Sequence, residues 1–225
     1  MSIAVIRRVF IRLIEARLEI TAEGYYSCDL TRKIPVRVDL VSINGPVGFG
    51  IIQSLTGEEK PLSDYVNALE KSASIIEVRV THETPVQYWT EVIHQLKKKS
   101  IHETILESGC MSRLPIVIEG GTQIHHLLAP DQDAFRLVFD TLRSRFSKVR
   151  VLNIRRSPRG SLGPGLTTKQ LDAIKLAISR GYYDMPRKSE IKHLAKKLKI
   201  KRVAMQERLR RAERTIMYQF AEEYF

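Results

Sequence analysis

The sequence predicts an α+β domain over residues 1–156, followed by an all-α domain of three helices over residues 166–225. Composition marks the division, because residues 157–165 contain three glycines and two prolines and sustain neither a helix nor a central strand. Charge changes at the same place. The first 150 residues carry 19 Lys and Arg against 18 Asp and Glu, whereas the last 75 carry 18 against 7.

Bulk composition excludes several classes of protein. With 43% apolar residues the chain can bury an ordinary core. It has no apolar run of the ~18–20 residues that a membrane span needs. The opening apolar run is short and broken by arginines, so no secretory signal is expected and the protein is predicted to be cytoplasmic. Cys28 and Cys110 lie far apart without a CxxC partner, which predicts neither a disulfide framework nor a zinc site.

Two segments of the α+β domain share one order of elements, strand–strand–helix–strand. Alternating apolar residues predict the strands, and apolar residues three and four positions apart predict the helices. The first segment comprises strands Pro35–Val41 and Gly48–Leu55, helix Pro61–Lys71 and strand Ile75–Val80. The second comprises strands Leu114–Ile118 and Ile124–Leu128 around the hairpin signal Gly120-Gly121, a helix capped by Asp131, and strand Val149–Ile154.

Three further segments complete this domain. Val5–Ile14 is assigned to a strand rather than a helix, Tyr88–Gln95 to a strand, and Ser100–Ser108 to a short helix that ends at Gly109. The glycines between positions 45 and 50 lack the spacing of a phosphate-binding loop and predict a turn.

The order of elements resembles ferredoxin-like and ACT-type regulatory modules. It favours two copies of one module, although the copies share few identical residues. The resemblance implies antiparallel sheets and a domain that forms a homodimer or senses a small-molecule effector.

The all-α domain begins with a capping box, in which Thr167 and Gln170 satisfy each other's backbone groups. Gly181 suits the left-handed end of that first helix. The second helix is predicted to start at Ser189, and the third follows a break at residues 199–201. The residues predicted to face inward are Leu171, Ile174, Ala177 and Ile178, then Ile191, Leu194, Ala195 and Leu198, then Met205, Leu209, Ala212, Ile216 and Phe220.

A small residue at Ala195, where the second and third helices cross, together with a basic third helix, indicates a helix-turn-helix unit that binds double-stranded DNA. The exposed face of the third helix is predicted to read bases through Lys201, Arg202, Val203, Gln206, Glu207 and Arg210. Phosphates are predicted to contact Lys188, Ser189, Lys192, Lys199 and Arg211. Lys199 occupies the turn position that glycine often fills, so it must either adopt a positive φ or belong to a different turn.

The run Leu166–Arg187, followed by Leu194–Ile200 and Leu209–Glu213, resembles the helix-turn-helix domain of the archaeal bacterio-opsin activator family. Its most specific part is Gly181-Tyr-Tyr-Asp-x-Pro-Arg187. The resemblance covers about a quarter of the chain and implies transcription regulation in an archaeal cell. It assigns DNA reading to Lys201, Arg202, Gln206, Glu207 and Arg210. Members of the family usually carry Gly and Ser where this chain has Lys199 and Lys201.

No constellation predicts an enzyme, a metal site or a cofactor. The six histidines form no HxxxH or HExxH pattern, and adjacent His125 and His126 would point to opposite faces of a strand. The leading hypothesis is therefore a homodimeric DNA-binding transcription regulator. The alternative is a basic interaction module that docks on the transcription machinery or another acidic protein without reading DNA.

Overall fold

The computed structural model describes residues 13–96, 98–157 and 165–224. Contacts divide the chain between Arg159 and Gly160 into two units. We call residues 13–157 the sheet unit and residues 165–224 the helical unit. Most of the predicted opening strand Val5–Ile14, and positions 158–164 of the predicted linker, lie outside the described residues. Ser157 was predicted to open the linker but is the last residue of a strand.

The sheet unit is α+β, with one antiparallel sheet of eight strands over its described residues. The strands are β1 (Leu13–Thr21), β2 (Val36–Asn44), β3 (Val47–Ser54), β4 (Ile75–Thr84), β5 (Gln87–His94), β6 (Met111–Glu119), β7 (Thr122–Ala129) and β8 (Lys148–Ser157). The helices are α1 (Tyr26–Thr31), α2 (Lys60–Glu70), α3 (Ile101–Glu107) and α4 (Gln132–Arg145).

Two tandem repeats of strand–helix–strand–strand–helix–strand build this sheet. The first repeat runs from β1 to β4, the second from β5 to β8, and the spatial order is β4-β5-β3-β2-β6-β7-β1-β8. The two repeats therefore exchange their first strands. Strand β1 lies between β7 and β8, and β5 lies between β3 and β4, so each half of the sheet contains one strand of the other repeat.

The halves join at the middle of the sheet, where Val38–Leu40 of β2 pair with Ile116–Ile118 of β6. Buried residues alternate along the strands, as in β1, because one face of the sheet packs against the helices. In one half, β1 and β7 pack against α3 and α4 through residues such as Leu18, Leu127 and Val138. In the other, β2, β3 and β6 pack against α2 through residues such as Ile52 and Leu62.

Strand β3 corrects the prediction of a turn between residues 45 and 50. Only Gly45 and Pro46 form the hairpin loop, because Asn44 already pairs with Val47. Gly45 has a φ of 57°, the left-handed conformation that favours glycine. Gly48 and Gly50 lie within β3 and pair with Val92 and Thr90 of β5.

Because side chains alternate along β7, His125 and His126 point to opposite faces of the sheet, as predicted. His125 is fully buried on the helix-covered face, whereas His126 is partly exposed. Burial lowers the pKa of His125 to about 3, so this imidazole is neutral in the folded protein at ordinary pH.

Replacing His125 by phenylalanine is expected to flatten the acid dependence of stability. The unfolded imidazole takes up a proton below about pH 6.5, while the folded one stays neutral down to about pH 3. The contribution of His125 to the free energy of unfolding is therefore fully present above about pH 6.5. It declines as the pH falls below that value, by about 1.4 kcal/mol per pH unit. Denaturant unfolding between pH 7 and 5 measures the slope. Equal slopes of the free energy of unfolding against pH for wild type and His125→Phe would contradict a neutral His125 in the folded protein.

Candidate nucleic-acid interface

The helical unit contains α5 (Thr168–Ser179), α6 (Ile191–Lys197) and α7 (Arg202–Tyr224). The predicted capping box opens α5: Thr167 Oγ1 accepts from the Gln170 N–H at 3.3 Å, and Gln170 Oε1 accepts from the Thr167 N–H at 2.8 Å. The core of the unit consists of Ala173, Ile174, Ala177, Leu194, Ala195, Met205, Leu209 and Ala212.

Ala195 is buried in this core on α6, beside Leu194. A methyl side chain takes little space there, so the short α6 can lie close to α7. Helix α6 begins at Ile191 with Glu190 as its N-cap, two residues later than the predicted start at Ser189. Glu190 makes no side-chain capping bond.

The prediction that three further residues lie in the core is wrong, because they are exposed. Leu171 and Ile178 of α5 are 39% and 63% exposed, and Phe220 of α7 is 49% exposed. Helix α5 buries Ile174 and Ala177 as predicted, and also Ala173, which was not predicted; the two small side chains allow a close approach between helices. Leu171 and Ile178 fit a helical stripe equally well in sequence, but they lie beside the packed face.

The turn between α6 and α7 depends on Lys199, whose φ is 54°. The Ile200 N–H donates to the Ala195 carbonyl at 3.0 Å, and the Lys199 N–H donates to the Lys196 carbonyl at 3.1 Å. The chain therefore keeps the left-handed turn with a residue that has a Cβ, at a conformational cost of about 1–2 kcal/mol.

Replacing Lys199 by glycine is expected to stabilise the helical unit by about 1 kcal/mol, because glycine adopts positive φ without strain. Denaturant melting of the full chain, followed by helix circular dichroism, measures this gain. The matched control is Lys197→Gly in α6, which removes the same charge but is expected to cost about 1 kcal/mol in a helix. A loss of stability in both variants would contradict the inference that Lys199 is strained by its positive φ.

Helix α7 exposes the residues predicted to read bases. Arg202, Val203, Gln206, Glu207 and Arg210 are all exposed, while Met205, Leu209 and Ala212 of the same helix are buried. At 3.6 residues per turn the exposed set falls on one side of the helix and spans about 12 Å along it. That length is similar to the width of the major groove, about 12 Å. Lys201, also exposed, immediately precedes the helix rather than lying within it.

Three of the predicted phosphate contacts form ion pairs with nearby carboxylates. Lys188 Nζ lies 2.8 Å from Asp184, Lys192 Nζ lies 3.0 Å from Glu190, and Arg211 Nε lies 2.8 Å from Glu207. Such exposed pairs are worth about 0–1 kcal/mol each, so an incoming phosphate can replace the carboxylate at little cost. Of the other two, Ser189 is partly exposed and Lys199 is exposed.

The loop between α5 and α6 contains interactions that the sequence did not reveal. Gly181 has the predicted left-handed conformation, with a φ of 67°; the sequence did not reveal that an added Cβ would lie 2.8 Å from Asp184 Oδ2 and 2.9 Å from Lys188 Cβ. The Arg187 guanidinium lies over the Tyr182 ring at 4.4 Å.

The Tyr183 hydroxyl donates to Glu213 of α7, which ties this loop to the third helix. Desolvation, together with this bond, raises the pKa of Tyr183, so the phenol keeps its proton. The Gly-Tyr-Tyr-Asp segment therefore has a structural role: it shapes the loop that carries Arg187 and Lys188 beside α6.

The described parts of the chain offer little support for a reactive cysteine or a metal site. Cys28 and Cys110 are buried free thiols, and burial raises the pKa of both, which disfavours the thiolate. No group of three or more His, Cys, Asp or Glu side chains that could hold a metal occurs among the described residues. Within the same ranges, no helix combines the length and apolar character of a membrane span.

Comparison with known proteins identifies the helical unit. Residues 166–218 match the model of a family described as HTH DNA binding domain, which is of the bacterio-opsin activator type. The predicted family resemblance is thus confirmed for this segment, about a quarter of the chain. No curated protein sequence matches the chain.

Proposed function

We propose that this chain is a sequence-specific, DNA-binding transcription regulator rather than an enzyme, whose sheet unit dimerises, senses an effector, or does both. One observation carries the DNA-binding part: an exposed helix face rich in donors and acceptors, within a segment that matches a DNA-binding domain. The helix-turn-helix geometry of α6 and α7 would place α7 in the major groove.

The side chains on α7 suit different bases. Lys201, Arg202 and Arg210 can donate to guanine, Gln206 can pair with adenine, and Glu207 can accept from cytosine. Val203, 76% exposed, can contact the thymine methyl group. Phosphate contact is proposed for Lys188, Ser189, Lys192, Lys199 and Arg211.

The repeated strand–helix–strand–strand–helix–strand order supports a sheet unit built from two fused ferredoxin-like modules. Dimerisation of whole chains has separate support on the sheet face opposite the helices. Phe49 of β3 is 40% exposed and Trp89 of β5 is 46% exposed, and Trp89 pairs directly with Ile51. Exposed apolar surface of this kind often marks a protein interface. Two chains joined in this way would present two helical units, which gain affinity through effective concentration.

Duplex binding at several salt concentrations tests the proposed function. The four cationic phosphate contacts of one helical unit predict a slope of about −4 in log K against log salt, and about twice that for a dimer. Sequencing of genomic fragments retained by the protein should yield a recurring motif.

Competition between polyglutamate and the duplex tests the alternative that the helical unit is a protein-interaction module. If the helical unit only docks on acidic proteins, polyglutamate will displace the duplex efficiently and the retained fragments will share no motif. That result would favour the interaction-module alternative over DNA reading.

A further inference from the structure

The sheet unit contains a partly open cavity of about 290 Å³ between the helix-covered face of the sheet and helices α1, α2 and α3. We call it the histidine cavity. Its walls are mostly apolar and include the rings of Tyr25 and Tyr26, and its polar groups include Gln123, His94, His102 and His125. At about 30 Å³ per water molecule, this volume equals that of about ten water molecules, which is enough for one small organic molecule.

Missing side chains in β3 create this space. Gly48, Gly50 and Ile52 occupy alternate positions on the inward face of the strand, and the two glycines line the cavity. Gly50 has no positive φ, and a Cβ there would meet only ordinary contacts at 3.5 Å or more. Neither strain nor crowding by neighbours explains this glycine. Glycine inside a strand often marks a place where a ligand approaches closely.

His125 has one ring nitrogen without a partner. Its Nε2 lies 2.9 Å from Gln123 Oε1, and Gln123 Nε2 donates to Ser27 Oγ at 3.1 Å. The amide oxygen can only accept, so Nε2 carries the proton and Nδ1 is a bare acceptor. Nδ1 is buried without a hydrogen-bond partner among the described residues, although His125 is fully buried. An unsatisfied buried acceptor is destabilising, and a ligand that donates to it would recover that cost.

A second imidazole faces the same space. His102 of α3 also lines the cavity, and its Nδ1 is buried without a partner in the described chain. Buried polar atoms in folded proteins are normally satisfied, so two unpartnered ring nitrogens on residues that line one cavity point to a partner there.

The cavity suits an uncharged molecule with a flat ring. Burial lowers the pKa of His94, His102 and His125 and raises that of Tyr26, so these groups are neutral and no charge of theirs would balance an ion. Glu103 also lines the cavity, and its carboxylate, which accepts from the Ser100 N–H at 2.7 Å, disfavours an anionic ligand. The rings of Tyr25 and Tyr26 are stacked 6.0 Å apart on the wall. Aromatic walls of this kind favour a planar aromatic partner.

We propose that the histidine cavity binds a small, neutral aromatic molecule that bears an N–H or O–H group, which donates to His125 Nδ1. The site would hold the effector of the proposed regulator, and in that sense it rests on the proposed function. Binding itself needs only the sheet unit.

Indole and indene test the proposal, since they have the same number of ring atoms and differ in one N–H. Calorimetry on the full chain near pH 7.5 is expected to show indole binding at least tenfold more tightly than indene. In His125→Phe the two affinities should become equal within about twofold, since phenylalanine keeps the ring and removes the acceptor. The indene affinity should change little.

Gly50→Leu keeps the test valid if the phenylalanine variant does not fold. Its isobutyl group should fill the cavity and abolish binding of both probes, with circular dichroism confirming the native fold. Equal affinities of wild type for indole and indene would overturn the proposal. So would undetectable indole binding, tighter binding of indole-3-carboxylate, or indole binding that survives Gly50→Leu.

Duplex affinity measured on the same samples separates this site from the proposed function. Indole binding without duplex binding would overturn the regulator and support the cavity site. Duplex binding without indole binding would overturn the cavity site alone.

Discussion

Replacing Arg202 and Arg210 together by alanine is expected to weaken specific duplex binding by about 10²–10⁴-fold. Both side chains are exposed on the same side of α7. Each good arginine contact with guanine is worth about 1–3 kcal/mol of base discrimination. Fluorescence anisotropy with a selected duplex and a scrambled duplex measures the loss, which should be larger for the selected duplex.

The matched control for the arginines removes two positive charges from α5. Lys169 and Lys175 are both exposed and belong to neither predicted contact set. Their double alanine variant should weaken both duplexes equally and by only a few-fold, through the lost charge. Wild-type affinity in the double arginine variant would exclude this face of α7 as the DNA-reading surface.

Replacing Leu194 by alanine is expected to destabilise the helical unit by about 3 kcal/mol. Leu194 is 1% exposed in a core of few large side chains, so truncation leaves a cavity that its neighbours cannot fill. Helix signal should be lost at lower denaturant concentration, and duplex affinity should fall with it as the temperature is raised.

Val203→Ala is the control for that truncation. Val203 lies on α7 but is 76% exposed, so its loss should change stability by no more than about 0.5 kcal/mol. Any effect of Val203→Ala on binding should be confined to duplexes with thymine at one position. Equal melting of Leu194→Ala and wild type would contradict the assigned core.

Local signals in the sequence predicted local structure well. Asp131 accepts from the Ala134 N–H at the start of α4, and Thr167 and Gln170 cap α5 as expected, because capping involves residues only three positions apart. Strand β1 also carries a clear local signal, the alternation of Ile14, Ala16, Leu18 and Ile20, but the prediction placed the opening strand earlier in the chain. Helix α1 has six residues and no side-chain cap, so little in its sequence marks it.

Features that join distant residues were not predictable in this way. The placement of β1 beside β7 and β8 depends on strand pairing across more than a hundred residues, for which a single sequence carries no periodic signal. The network from Ser27 through Gln123 to His125 likewise exists only after β7 and α1 meet. On α7 the exposed candidates could be listed from spacing, but the ion pair between Glu207 and Arg211 and the bond from Tyr183 to Glu213 could not.

The exchanged strands have a consequence for how the chain matures on the ribosome. Strand β1 is made first, yet its neighbours β7 and β8 are among the last parts of the sheet unit to be made. At about 5–20 residues per second, Ile14 waits roughly 5–25 s for its partner Ala129 to be synthesised. During that interval an apolar strand with unpaired edges is exposed, a condition that promotes aggregation. The nascent sheet unit is thus expected to depend on chaperones until β8 is complete.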